Sequence, residues 1–599
     1  YDAMNGGTTT GDNNIAIGVS TLDALTSGKE NVAIGHNALT AATTGNVNIA
    51  IGHNALYASV AGTNNIAIGE HAMYAFANAS GTTNIAIGHY CMDSANDNMV
   101  GNIAIGYSAY NTANTSGADG NVLIGHYAAQ AMTSGNHNVG VGRGALYQSL
   151  SADGLVAVGH NAAAGGAMTS DADGSVFIGS HAGYEMITGI GNVAIGRNAL
   201  YVEDDGDFNT AIGYEALKAQ TGTSGTVANT AVGYQAGYSN TTAINNTYVG
   251  GDSGYYNQTG AYNTYIGFAC GKGASGQSHN WNTGVGTYCL SSITTGATNT
   301  AIGGGAMNGM TTGASNTAMG RMALQALTVG QDNVVIGYDA MSAANVGESE
   351  NIVLGSGAMS DFDEGTGGGD IDGNVVIGHD AFIGGDLLSN DVQVTDNIAI
   401  GRNALNSTSS SAQTGTIAIG FQSLTAVNSS DTSGTVAIGH YAASCITNGA
   451  KNLAIGYTAL QVHTTGDNNI AIGYGAMNDT DAGSTSLGSD NNLAIGRDSM
   501  GGTWANVVSE YNVAVGNYTL AGVLNGANSN TALGYGAAYG LTSADSCIAI
   551  GHNSMNVHTT GVRNIAIGHG AMDDTDQSAA TLGSNDNIFM GYDAGGGTW

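Results

Sequence analysis

The sequence predicts an all-β protein: a parallel β-solenoid, or β-roll, of about 32 coils. Three observations carry that expectation. The text Asn-apolar-Ala-Ile-Gly, with some tolerance, recurs 32 times between Asn14 and Gly591. Successive repeat glycines are 17 residues apart in 16 of 31 intervals and never closer. A minimum that tolerates only additions describes a coil with fixed walls and an expandable loop, and a fixed period is the mark of a stacked-repeat architecture. Finally, the chain has 97 Gly and no Pro. A proline-free chain loses no donor from a continuous hydrogen-bonded ladder, and glycine without a three-residue period is not collagen.

Each position of the coil has its own chemistry. An Asn opens the motif in 27 of 32 coils, as at Asn31, Asn48 and Asn65. Stacked asparagines hydrogen-bond along a fibre axis, so this column reads as a structural ladder. The residue three before the glycine is Ile, Val or Thr in 30 of 32 coils, and β-branched side chains favour extended backbone. The residue just before the glycine (Ile34, Ile51, Ile68) is always apolar, and the residue between is Ala in 22 coils. Alternation sends the flanking pair to one face and the Ala to the other. The Ile/Val pair reads as a core column. The Ala face, with Ala16, Ala33 and Ala50, reads as a second covered face packed against another chain.

The glycine (Gly35, Gly52, Gly69) turns the corner by positive φ or close backbone approach. Gly-x-x-Ala-Leu then reads as a second short strand, and stretches such as TTGNVN as polar loops. Insertions lengthen the coil to as many as 23 residues, as between Gly355 and Gly378. At ~4.8 Å per rung the array predicts a rod roughly 150 Å long. One 17-residue coil is a small cross-section, so an intertwined or side-by-side homotrimer is expected in preference to a single-chain solenoid. The chain reads as one continuous array over 1–599. Residues 410–504 and 505–599 form related five-coil blocks: HTTGDNNIAIGYGAM at His463 returns as HTTGVRNIAIGHGAM at His558, and GGTW recurs 95 residues apart. Tyr1-Asp2-Ala3-Met4 resembles the text after a repeat glycine, so both ends read as cut within the array, an internal piece of a longer fibre protein.

Composition narrows the function classes. A net charge of −34 with ten basic residues speaks against a phosphate-backbone partner. No apolar run reaches the ~18 residues of a membrane span, and no signal peptide is visible. The five cysteines do not resemble a disulfide framework. Cys91, Cys270 and Cys289 fall where other coils have Ala, Ser or Thr and read as small buried residues.

Two groups of residues invite a binding role. The position after the repeat glycine holds His in nine coils (His36, His53 and His89 among them), Tyr in eight, including Tyr107, and Arg in five, including Arg143. Rings on successive rungs offer metal ligation; the mixture with Tyr and Arg favours a stacked column of flat groups. Acidic inserts are the other group. Asp361, Asp363, Glu364, Asp370 and Asp372 share one glycine-rich loop, Glu203, Asp204, Asp205 and Asp207 another, and Asp573, Asp574 and Asp576 a third. Such clusters supply the oxygens Ca2+ requires, and the first is the Ca2+ candidate; no other cofactor is expected. No nucleophile sits beside a histidine–acid pair above the repeat background, so no enzyme is predicted.

The segment Ala33-Ile34-Gly35-His36-Asn37-Ala38, an AIGxxA text, resembles the head repeats of trimeric autotransporter adhesins. The fuller TTGxxNIAIGYxAL is similar to repeats in phage tail fibres and large bacterial surface proteins. The resemblance covers Asn14 to Gly591 and implies a left-handed parallel β-roll in a three-chain bundle. It implies a non-enzymatic, extracellular structural role: the shaft of a virion appendage or cell-surface adhesin, with a host-cell surface or glycan receptor as partner. The alternatives are a self-assembling filament or sheath of rods joined end to end, and an ice- or glycan-binding solenoid. The last draws on the seven Thr that share one column from Thr210 to Thr317.

Overall fold

The computed structural model describes all residues except 1–2, 5–8, 77–80, 95–97, 112–117, 223–224, 363–369, 386–391, 407–411, 428–431, 480–487, 506, 574–583 and 597–599. The chain divides into two compact units, Tyr1–Thr295 and Gly296–Trp599. Each is a parallel β-solenoid with almost no helix, and together they contain about 28 turns at a spacing of roughly 18 residues.

In the first unit, three-residue strands stack without slippage. Ile15 pairs with Val32, Val32 with Ile49 and Ile49 with Ile66, all parallel. The second unit repeats the arrangement, as in Thr300 with Thr317 and Ile548 with Ile565. The short strand reflects its composition: two β-branched residues around a small one, ended by a glycine whose φ no other residue readily adopts. Some loops carry extra two-residue pairings, Gly206–Asp207 with Gly225–Thr226 and Val394–Thr395 with Gln413–Thr414.

The asparagine column closes the seam between coils. Asn31 Oδ1 accepts hydrogen bonds from both the backbone N–H and the side-chain amide of Asn48, each at 3.0 Å, and Asn48 Nδ2 also donates to the Gly62 carbonyl at 2.8 Å. Asn65 continues the pattern through its backbone N–H to Asn48 Oδ1 at 3.0 Å. These side chains are buried, and an amide left unpaired there costs about 1–3 kcal/mol. At two of the positions where the column holds another residue, Ser175 and Thr435, a hydroxyl takes over part of the role. Ser175 Oγ accepts from the Asn192 N–H at 3.0 Å and donates to the Gly189 carbonyl at 3.3 Å.

Two expectations are corrected here. The alanine face is the interior: Ala33, Ala50 and Ala67 have no exposed surface, whereas Ile34, Ile51 and Ile68 are half-buried and point outward. With Leu39 or Leu56 also filling the interior, a small residue fits the middle of the strand, and the interior is too apolar to leave that position wet. The Ile/Val pair forms the in-register ladder on the outside, and no alanine face remains for a partner chain. The second correction concerns Gly-x-x-Ala-Leu, which is a chain of tight turns, not a strand. Asn37 and Leu39 both take left-handed φ, 55° and 53°, and Asn54 and Leu56 repeat this at 59° and 51°. Such values are costly for a side chain with a Cβ. Here they are held by burial of the Leu and by inter-coil bonds, as from Leu39 N–H to the Ala55 carbonyl at 3.0 Å.

Aromatic residues at the strand centre are compensated within their own coil. Most coils combine a small strand residue with Leu or Met four residues after the glycine. Where the strand residue is Phe177, Tyr248, Tyr265 or Phe589, the later position is Gly183, Gly254, Gly271 or Gly595, and a Cβ there would fall against the ring. The two buried tyrosines also keep polar partners: Asn257 Nδ2 donates to Tyr248 Oη at 2.8 Å, and Tyr265 Oη lies 2.8 Å from His279 Nδ1.

Among the cysteines, Cys270 and Cys289 form a disulfide, while Cys91, Cys445 and Cys547 are free. Reading Cys270 and Cys289 only as small buried residues is thereby corrected. They occupy the same column on adjacent coils, which brings their Cα atoms to 4.8 Å, inside the range a disulfide bridges.

The corner glycine combines two demands. Gly52 has φ of 140°, and a Cβ on it would strike the Gly69 carbonyl of the next coil. Gly101 also has positive φ, 71°, yet faces open space. Gly52→Ala is therefore expected to lower stability by about 2–5 kcal/mol, from backbone strain plus overpacking. Gly101→Ala should cost only about 1 kcal/mol, the conformational share alone. Urea titration of both variants checks the difference.

Candidate functional site

The surface offers three features: the outward Ile/Val face, the ring column after the corner glycine, and the acidic loops. In the first, two side chains per coil stand side by side and repeat in register. Exposure reaches 42% at Ile352 and 38% at Ile178 within the arrays. Between Thr210 and Thr283 the first of the two columns is threonine, paired coil to coil through Thr230, Thr247 and Thr264.

The ring column stacks as flat groups on adjacent rungs do. His36 and His53 lie 5.3 Å apart at 24° between planes, and Tyr107 and His126 5.1 Å apart. A run in the second unit is more regular: Tyr535, His552, His569 and Tyr592 follow one another at 5.1, 4.9 and 4.9 Å with interplanar angles of at most 12°. Arginines enter the same stack. Arg402 lies 4.7 Å from the Phe421 ring, and Arg497 lies 5.6 Å from both Tyr474 and Tyr518, within the range of cation–π attraction. Arg143 lines a surface depression of about 310 Å³ with Tyr127, Tyr147 and Tyr184. His89 packs face-on against Tyr90 at 4.0 Å and edge-on to Tyr107 at 5.4 Å.

Of the Ca2+ candidates, Asp363 and Glu364 lie outside the described residues, as do Asp574 and Asp576 of the third insert. Asp361 accepts from the Ser360 hydroxyl at 3.1 Å. Asp370 takes part in a backbone bridge to Gln393. Asp372 accepts from the Ser349 N–H at 2.6 Å, and burial followed by Asp370 and other nearby acids raises its pKa. Among the described residues, the groups whose donor atoms gather within ligating range are instead Glu203–Asp204–Asp205 and His53–Glu70–His71. His71 went unnoticed in the sequence because it stands one residue after the ring column; the visible signal was Glu70, the one acid in that column.

Comparison of the chain with protein-family models, curated proteins and solved structures gave no match. No helix among the described residues is long and apolar enough to cross a membrane.

Glu203 stands in an interior column that elsewhere holds residues such as Leu25, Phe76 and Met132, and it is fully buried. Its Oε1 accepts from the Gly206 N–H at 2.7 Å, while Oε2 has no hydrogen-bond partner. Burial, offset in part by backbone hydrogen bonds and reinforced by Asp204 and Asp205, pushes its pKa from 4.5 to about 7. Between those values the unfolded chain releases a proton that the folded chain retains, so stability falls as pH rises across the window and levels off above it. Glu203→Gln removes that dependence. Thermal melts should show the variant level with the parent near about pH 4 and more stable at about pH 8.

Proposed function

We propose that the protein is the shaft of an extracellular attachment fibre, a non-enzymatic structural element built from three parallel copies. The observation that carries this reading is the outward Ile/Val face. In-register, half-exposed β-branched columns repeat over coil after coil of each unit, and long apolar patches on soluble proteins mark association surfaces. A second copy with the same repeat presents a matching periodicity, which makes a parallel homotypic bundle the natural occupant. This face takes the place of the alanine face as the trimer contact.

The role is mechanical and geometric. Inter-coil hydrogen bonds stiffen each unit, and the loops and the ring column offer weak contacts many times over. Repetition raises avidity well above single-site affinity, which suits a host-cell surface or glycan receptor. The Cys270–Cys289 disulfide supports an oxidising, extracellular setting. A second reading, ice or glycan binding, draws on the outward threonines from Thr210 to Thr283. Their neighbours in the second column are Ile and Val, which favours the bundle.

Sedimentation equilibrium tests the proposal: the expected species has three times the 59.6 kDa chain mass. Ile51→Glu with Ile68→Glu should shift it toward monomer with the β circular-dichroism signal retained. A monomeric parent chain overturns the bundle, and thermal hysteresis from that monomer would favour the ice-binding reading.

A further inference from the structure

The ring column is interrupted by a carboxylate at one coil. Glu70 follows the corner Gly69, with His53 in the equivalent position on the preceding coil and His89 on the following one. Parallel stacking brings both imidazoles onto the same carboxylate. His53 Nδ1 lies 3.6 Å from Glu70 Oε1, and His89 Nε2 lies 3.3 Å from Glu70 Oε2. The next residue, His71, has left-handed φ of 58° and shares the same patch. One donor atom each from His53, Glu70 and His71 lie within 4.8 Å of one another.

We propose that His53, Glu70 and His71 form a binding site for a divalent transition-metal ion of the Zn2+ type, with His89 as the fourth ligand. Three imidazoles and one carboxylate match the donor preference of Zn2+, whose bonds of about 2.0–2.2 Å set neighbouring donors roughly 3.3 Å apart in a tetrahedron. The His53–Glu70 separation is already close to that edge, and His89 reaches the other oxygen of the same carboxylate. His89 Nε2 meets Glu70 Oε2 without hydrogen-bond geometry, so no strong contact would be lost on ligation.

The surroundings fit as well. His71 Nδ1 lies 3.7 Å from Asp93 Oδ1, itself buried without a hydrogen-bond partner, and His71 Nε2 lies 3.1 Å from Asn54 Nδ2. A carboxylate behind an imidazole orients ligating histidines and strengthens them as donors; with Asp93 behind Nδ1 as a positioning residue, His71 ligates through Nε2 and exchanges the Asn54 amide for the metal. The competing account is a simple ion pair of Glu70 with protonated imidazoles. Glu70 is half-exposed, where water screens an ion pair and leaves it weak.

Co2+ replaces Zn2+ as a visible probe for the test on the full chain, with Zn2+ affinity measured by calorimetry. The expected result is saturation at one Co2+ per chain with the intense absorption bands of tetrahedral coordination, displaced by Zn2+. Glu70→Gln and His71→Ala should each weaken binding by at least about tenfold, and Asp93→Asn by about 10–100-fold with the tetrahedral spectrum distorted. His160→Ala is the control: His160 packs on His181 at 5.1 Å in the same column, so its loss leaves the site intact. The proposal is overturned by absence of saturable binding, by equal affinity in Glu70→Gln and the parent, or by equal loss in His160→Ala. Circular dichroism of each variant separates lost ligation from lost fold.

Discussion

The rest of the structure depends on one constraint: every coil must return to the same register over the last. The buried asparagine column enforces it: at full pairing, as at Asn31 and Asn48, a side chain accepts two hydrogen bonds from the next coil and donates to a carbonyl of that coil's loop. A slip of one residue leaves buried amides unpaired and sends the alanines outward. The corner glycine adds the same demand from the backbone side, since only a residue without Cβ fits against the neighbouring carbonyl. Register fixed in this way makes everything on the surface periodic. The Ile/Val face, the ring stack and the His53–Glu70–His71 patch follow from which residue each coil places at a shared position.

Large residues at the strand centre enter the interior in compensated form. An aromatic residue at the strand centre is matched by glycine four residues after the corner in the same coil, at Phe177 with Gly183 and at Tyr265 with Gly271. Close packing requires this, because a coil of fixed circumference cannot expand for an extra ring. Polar side chains enter the core where partners exist, as Asn257 does for Tyr248. Others enter incompletely paired, as Asn240 and Tyr110 do, and Glu203 is held by one backbone N–H and shifted toward its neutral form.

Much of the fold was legible because the repeat is long and its positions are chemically distinct. The 17-residue minimum, the three-residue strand around Ala33 and the ladder role of Asn48 all follow from periodicity and hydrogen-bonding capacity. Which face points inward was not legible. Alternation separates Ile34 and Ile51 from Ala33 and Ala50 but carries no sign, and ordinary preference places the larger apolar residues inside; the narrow coil reverses it. The left-handed Leu39 and Leu56 were hidden for a different reason: their conformation is imposed by inter-coil bonds and burial against local preference. The disulfide was concealed by the same columns that created it, since Cys270 and Cys289 looked like ordinary small residues until stacking brought them together. At the candidate metal patch the sequence displayed the histidine column, yet His71 and Asp93 join it only through the geometry of adjacent turns.

Hydrogen exchange by mass spectrometry on an Asn48→Leu variant addresses the register constraint directly. The Asn65 backbone N–H donates to Asn48 Oδ1, so removing that acceptor should lower protection of residues 63–66 by about tenfold or more, the equivalent of ~1.4 kcal/mol. Residues 102–105, two coils further on, should keep the protection of the parent chain. Unchanged exchange at 63–66, or an equal loss at both segments, would contradict the asparagine ladder as the element that holds the coils in register.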